Sequence, residues 1–352
     1  MVSFDAGIAA WLDILKEAGR IVRVLLSALA GLLVLASSPD CYSAEKITIM
    51  VGGLEKQIYL PVKLAEQLGY LKETGLEIEI LTESTGAKAE TEMLLDTAQG
   101  VVGFYDHTID LQARGKQVES VLQFNQAPGE VLLVSKAAAR NIKSVADLKG
   151  KTVGVTGLGS STNFITRFLA VKAGLKNGEF TTLPVGAGPD FVAAMAQGKI
   201  DAGMVSEPTV SQLTASGMAS ILVDLRTPLE SEAALGGSYP GACLYMPTAW
   251  VNQHKAETRK IVAAFVKSLQ FIHAHSAEDI AEMMPREYYA GNKAQYIASL
   301  ARSKAMFTAD GVMPAGGPAN VLAVLNDFDK AVQGKTINLQ NTYTLEFVQP
   351  AR

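Results

Sequence analysis

Apolar residues recur along this chain in two alternating rhythms, short unbroken runs and longer stretches with helical spacing. The runs KITIMV (46–51), LEIEIL (76–81), VVGFY (101–105), ESVLQF (119–124), EVLLVS (130–135), KTVGVT (151–156) and AGMVS (202–206) are rich in β-branched residues and read as strands. Between them lie amphipathic stretches. One opens at Pro61 with Leu64, Ala65, Leu68 and Leu71 on a single face, and others cover 87–99, 161–173, 189–197 and 208–216. Strand, helix and strand in series predict parallel sheets joined by crossovers. After about residue 250 the rhythm becomes helical throughout, over 256–275, 276–284, 292–303 and 318–333, so this tail must pack on something already built.

Two stretches break the rhythm without belonging to it. NQAPGE (125–130) joins two strand-like runs, and TPLESEAALGGSYPGA (227–242) precedes the apolar ACLYM. A chain that leaves a first lobe near 128 and returns near 241 makes the middle its own sheet, with a cleft between the two. The expected organisation is therefore a leader over 1–44, a first lobe built from 45–128 and 241–352, and a second lobe over 129–240.

The leader rests on VLLSALAGLLVLA (24–36), 13 uncharged and mostly apolar residues behind Arg20 and Arg23. A membrane-spanning helix needs about 20 apolar residues, so this run is short for a span and suits the core of a signal peptide. Cleavage is expected after Ala44, with Ser38 as the alternative, and Phe4, Ile8, Trp11, Leu12 and Leu15 fall at helical spacing ahead of the core. Pro39 and Asp40 argue against lipid attachment at Cys41. Only Cys243 then remains, in an apolar run that makes it a core residue, and the exported chain forms no internal disulfide.

Composition changes the picture little. At 352 residues and 48% hydrophobic, the chain has enough material for two domains. Without residues 1–44, 28 basic residues face 31 acidic ones, a net charge of −3. That near-neutral value offers no field for phosphate backbones and speaks against nucleic acid.

The most informative stretch is GKTVGVTGLGSSTNFITRFLAVKAG (150–174), a strand, a Gly/Ser loop and a helix. Free amides at a helix N-terminus attract anions, and Ser160, Ser161 and Thr162 add hydroxyls, with Gly159 and Asn163 beside them. It is not a nucleotide loop: Ser160 stands where a P-loop needs lysine, and Thr162 where a dinucleotide fingerprint needs its third glycine. A serine that merely caps the helix is the alternative reading.

The segments YLPVKLAEQLGYLKETGLEIEI, GFYDHT, SVADLKGKTVGVTGLGSSTNF and VGAGPDFVAAMAQGKIDAGMVSEP, in that order and spacing over about 46–275, resemble the nitrate, sulfonate and taurine type of periplasmic substrate-binding proteins, which are related to thiamine-pyrimidine-precursor binders. The resemblance implies an α/β fold of the type II periplasmic binding protein or Venus-flytrap kind. Each lobe is then a mainly parallel sheet flanked by helices, with the C-terminal helical tail on the first lobe. It also implies a monomer that docks on an inner-membrane ABC permease, with no cofactor or metal. The ligand expected is a small organic anion or zwitterion: a sulfonate, a nitrate-like ion, an aromatic acid or a pyrimidine.

Ligands in such sheets gather beyond the carboxyl ends of strands. That rule selects Gln57 and Tyr59 after the first strand, Tyr105 and His107 after the third, and Asn125 after the fourth; from the second lobe it selects Gly159 to Asn163 and Glu207. Tyr239 in the second connection joins them. Asp106 reads better as a helix cap. Glu207 conflicts with a simple anion unless it is protonated or pairs with Lys56 or a cationic group of the ligand. Catalysis finds little support: His273 and His275 lie two apart on a helix and face apart, and no G-x-S-x-G, H-E-x-x-H or cysteine-rich motif occurs. An enzyme on the same fold acting on a pyrimidine or chorismate-derived substrate, and a sensor docking on a membrane kinase, are the competing readings.

Overall fold

Two five-stranded sheets organise the chain. In the computed structural model, which describes Trp11 and residues 16–20, 46–176 and 178–348, the first sheet contains β1 (Ile47–Val51), β2 (Ile78–Thr82), β3 (Gly100–Phe104), β4 (Val118–Gln123) and β10 (Ala242–Pro247) in the order β2-β1-β3-β10-β4. The second contains β5 (Glu130–Ser135), β6 (Thr152–Val155), β7 (Thr181–Pro184), β8 (Ala202–Ser206) and β9 (Ala219–Asp224) in the order β7-β6-β8-β5-β9. The core of the expected leader, its two cleavage positions and Cys41 lie outside the described residues. Met1–Glu45 forms one unit, in which Trp11 and residues 16–20 are helical, and Lys46–Arg352 forms the other.

Each sheet is mixed in the same way. β1, β2 and β3 pair in parallel, while β10 runs antiparallel to both β3 and β4, so one strand of five is reversed. In the second sheet β6 pairs in parallel with β7 and β8, and β5 is the reversed strand between β8 and β9. β1, β3, β5 and β8 are buried along their whole length, as apolar runs covered on both faces must be.

Three strands were not expected. β7 and β9 are partly exposed edge strands, short or polar enough to hide their period, and β10 is the apolar run after the second connection. That connection, expected as loop, contains a helix (Pro228–Leu235) capped by the Thr227 side chain and ended by Gly236 at φ 84°. Conversely, the helix expected over 87–99 spans Gly86–Leu94, and Asp96 takes the left-handed φ of 59° just beyond it.

The helices that position the site are α1 (Leu60–Gln67), α2 (Tyr70–Glu73), α3 (Gly86–Leu94), α4 (Asp106–Ala113), α5 (Ser161–Lys172), α6 (Pro189–Ala196), α7 (Thr209–Ala215) and α8 (Pro228–Leu235). The tail adds α9 (Thr248–Gln253), α10 (Lys255–Ala274), α11 (Ala277–Met283), α12 (Lys293–Ser303) and α13 (Gly317–Phe328). Ile261, Phe265, Leu269 and Ile272 of α10 are buried in the core of the first sheet, beside α1. α13 packs on both lobes, touching α4 on one side and α5 on the other, where Phe164 meets Phe328 with ring centroids 5.9 Å apart.

Candidate functional site

A small, partly open chamber of 20 Å3 lies where strand ends of the two sheets meet. From the first lobe come Lys56, Ile58 and Tyr59 after β1, Gly86 at the start of α3, Phe104 at the end of β3 and His107 in the first turn of α4. From the second come Thr156 after β6, Ser160, Ser161 and Thr162 at the start of α5, Ser206 at the end of β8, and Glu130. Glu130 is the exception to the carboxyl-end rule. It begins β5, and because β5 is reversed its first residue pairs with Ser206, the last of β8, at the same edge.

The chamber's charged groups are buried and sparsely partnered. Glu130 is 3% exposed, its carboxylate receives no hydrogen bond from any described residue, and its Oε2 is fully buried. Burial, with the nearby charge of Asp106, pushes its carboxyl well above the ordinary range, and Lys56 acts against this. Lys56 does not pair with it. Its ammonium folds back to donate to the Gly52 carbonyl at 2.5 Å, and burial lowers its pKa. Gly53 permits that path, since a Cβ there would sit 2.5 Å from the Lys56 Cε.

His107 is held by the first lobe. Its Nδ1 lies 3.2 Å from the Tyr245 hydroxyl and 3.5 Å from Glu90 Oε2, leaving Nε2 buried without a hydrogen-bond partner. Gly86 makes room for the ring: a Cβ there would meet Cε1 at 2.9 Å. The Tyr59 ring is buried against the chamber, and its hydroxyl makes no hydrogen bond among the described residues.

The serine and threonine hydroxyls at the start of α5 are largely committed to one another. Thr156 Oγ1 donates to Ser160 Oγ at 3.1 Å and lies 2.9 Å from Thr162 Oγ1, which also accepts the Thr156 amide at 3.0 Å. Ser160 Oγ donates to the Gly157 carbonyl at 2.6 Å. The Asn163 side chain turns back to accept the Gly159 amide at 3.4 Å, and neither residue lines the chamber. What faces the chamber from this turn is therefore the helix N-terminus more than a set of free hydroxyls.

Ser161 joins the lobes. Its hydroxyl donates to Asp106 Oδ1 at 2.8 Å, and Tyr239 of the second connection donates to Oδ2 of the same carboxylate at 2.8 Å. Asp106, expected as a helix cap, is thus a fully buried tie between the two lobes and one of their connections, and burial raises its pKa against the pull of His107 and these bonds.

Several residues selected from the sequence are engaged elsewhere. Gln57 donates to Ser299 Oγ at 2.7 Å and accepts from Ser303, both on α12, so its amide is turned from the chamber into the first lobe. Tyr105 is buried against the tail, its hydroxyl bonded to Thr342. Asn125 donates to the Ile58 carbonyl at 3.2 Å within the first connection. Glu207 pairs neither with Lys56 nor with the chamber. Its Oε1 accepts from Arg226 at 2.6 Å and its Oε2 accepts the Ser211 amide at 3.0 Å. Lys56, Glu130, Thr156 and Ser206, which sequence reasoning did not select, complete the set; the signal that could have found Glu130 is an acidic residue at the head of an apolar strand that follows an interlobe connection.

Beyond the chamber lies a vestibule of 680 Å3 that shares Thr156 with it and is lined by Ser84 and Lys88 from one lobe and Gly157, Gly186 and Asp190 from the other. No group of three metal-binding side chains occurs among the described residues, and none of their helices is long and apolar enough to cross a membrane.

Residues 58–279 match the family described as NMT1/THI5 like. The chain belongs to that family. Within 164 residues it is 31% identical to 4-amino-5-hydroxymethyl-2-methylpyrimidine phosphate synthase THI13 of Saccharomyces cerevisiae, covering 46% of this chain and 46% of that protein. The chain spans about half the length of such curated relatives. A solved structure from Bordetella bronchiseptica RB50 is 35% identical and superimposes with a TM-score of 0.82, over 86% of this chain and 95% of that one. The ligand-binding component of an ABC-type import system from Staphylococcus aureus, solved with zinc bound, is 12% identical with a TM-score of 0.63, over 80% and 91% of the two chains. This NMT1/THI5-like protein therefore has the two-lobed periplasmic-binding-protein fold, with two mixed sheets of five strands.

Proposed function

We propose that this protein is the exported solute-binding component of an ABC-type importer and that its ligand, a small organic zwitterion or anion, is held in the chamber between the lobes. The observation that carries this reading is the Asp106–Ser161 hydrogen bond beside that chamber, which ties one lobe to the other where Ser161 lines it. Tyr59, His107, Glu130 and the N-terminus of α5 are the ligand contacts in this reading. The lobes, 45–128 with 241–352 and 129–240, turn about the two connections, where Gln123 Nε2 donates to the carbonyls of Asn125, Gly241 and Ala242 and clamps the crossing strands together. Ligand that binds the closed form shifts the population towards it, and a permease that reads the closed form receives only loaded protein.

A thermal-shift screen over sulfonates, nitrate, aromatic acids and pyrimidines tests this, because a ligand of the folded state raises its melting temperature. A stabilising compound recovered chemically unchanged after prolonged incubation supports a binder. Its conversion to product would replace this reading by an enzyme on the same fold, the alternative favoured by the likeness to the yeast synthase.

A further inference from the structure

We infer that the solute carries a cationic or strongly N–H-donating nitrogen, and that Glu130 is the carboxylate that receives it. This deepens the solute-binding reading and rests on it. Among the described residues Glu130 is the only acidic side chain lining the chamber, it is 3% exposed, and none of them donates a hydrogen bond to its carboxylate. A buried carboxylate in that position is costly unless something supplies the missing donor. The protein's own cation does not. Lys56 lines the same chamber, yet its ammonium is spent on the Gly52 carbonyl at 2.5 Å.

The second unpartnered atom agrees with the first. His107 has its Nδ1 directed at Tyr245 and Glu90, and its buried Nε2 makes no hydrogen bond, with Asp106 Oδ1 3.8 Å away. The hydroxyls on Thr156, Ser160 and Thr162 are bonded among themselves, so what that turn offers is the positive end of a 12-residue helix. Glu130 thus demands a donor, and the start of α5 favours an acceptor. A solute with an amine, amidine or amino-substituted ring nitrogen at one end and an acceptor or anionic group at the other satisfies both. A simple anion satisfies the start of α5 and supplies no donor to Glu130.

Matched probes separate this from the solute-binding reading itself. Melting temperatures of the wild type and Glu130→Gln are measured with taurine against ethanesulfonate and with 4-aminopyrimidine against pyrimidine, at equal ionic strength, and affinities by calorimetry. The expected result is that the amine-bearing member of at least one pair stabilises the wild type more than its partner, and that Glu130→Gln loses the difference with at least about a tenfold drop in affinity, the loss of one charge-assisted hydrogen bond. The unliganded variant should melt cooperatively, at or above the wild-type temperature, because an unpaired buried charge has been removed. Should it fail to fold, Glu130→Asp, which keeps the charge and retracts it by one methylene, takes its place. Equal stabilisation by the amine-free member overturns this inference and leaves solute binding standing, as does a Glu130→Gln protein that keeps the preference. A wild type that none of the four compounds stabilises overturns both.

Discussion

Glu130 and Glu207 show how the same residue type takes opposite roles according to its partners. Glu207 is neutralised by the Arg226 guanidinium and a backbone amide, whereas Glu130 faces Lys56, Asp106, Tyr59 and Tyr239 with no donor in contact. The consequence for stability has a definite sign. Burial raises the native pKa of Glu130 above its ordinary 4.5, so the native state holds the proton more tightly than the unfolded chain. The stability this provides is complete below the ordinary value and is lost as pH rises through the native pKa. Asp106 titrates in the same direction and burial lowers the Lys56 pKa, and both groups are present in wild type and variant alike. The unliganded wild type should therefore lose stability relative to Glu130→Gln as pH rises through that window. Urea unfolding at a series of pH values measures this, and curves that stay parallel would show that the carboxyl is as well solvated in the folded protein as outside it.

The turn into α5 was legible as a ligand-facing element, but the job of its hydroxyls was not. A Gly/Ser loop before an amphipathic helix announces a helix N-terminus at a strand's end, and that is where it sits. Whether a serine points at ligand or at its own loop depends on distances that a linear pattern does not contain. Here Thr162 Oγ1 accepts the Thr156 amide and bonds the Thr156 and Ser160 hydroxyls, which makes it the keystone of the loop. Thr162→Val keeps the shape and leaves that buried amide unpaired. It should cost about 1–3 kcal/mol of folding stability, read by chemical denaturation. An unchanged unfolding midpoint would return Thr162 to the set of hydroxyls available to ligand.

At the scale of the whole molecule, the lobes are joined by more than the two connections. Arg226, 4% exposed, forks onto Asp224 through Nε and Nη2 at 2.9 and 2.6 Å and reaches Glu207 through Nη1. Arg302 on α12 extends the network from the tail to Asp224 and Glu230 at 2.7 and 2.9 Å. Although burial alone would raise it, these guanidinium bonds hold the Asp224 pKa below its usual value. Arg226→Ala would leave two carboxylates with a buried hole between them and should destabilise the fold by about 3–5 kcal/mol, measured by urea unfolding; a loss below about 1 kcal/mol would mean that water replaces the guanidinium. Ser161→Ala acts differently, removing the tie to Asp106 without disturbing either lobe's core. It should weaken ligand affinity several-fold, about 0.5–1.5 kcal/mol, and raise the radius of gyration of the unliganded protein in solution scattering. An unaltered affinity would assign closure to α13, which touches both lobes.

By itself the sequence determined the alternation of strands and helices, the helical tail and the α5 loop, because each is written in local periodicity or local turn chemistry. Only the tertiary structure decided which side chains meet at the chamber. The carboxyl-end rule led to Tyr59, His107 and Ser160 to Thr162, which lie at its edge because they follow strands that run parallel to their neighbours. It passed over Glu130 because β5 enters its sheet reversed, so that the strand's first residue, not its last, lies at that edge. Strand direction is set by the path of the chain between lobes and by pairing across more than 70 residues, and no window of local pattern contains it.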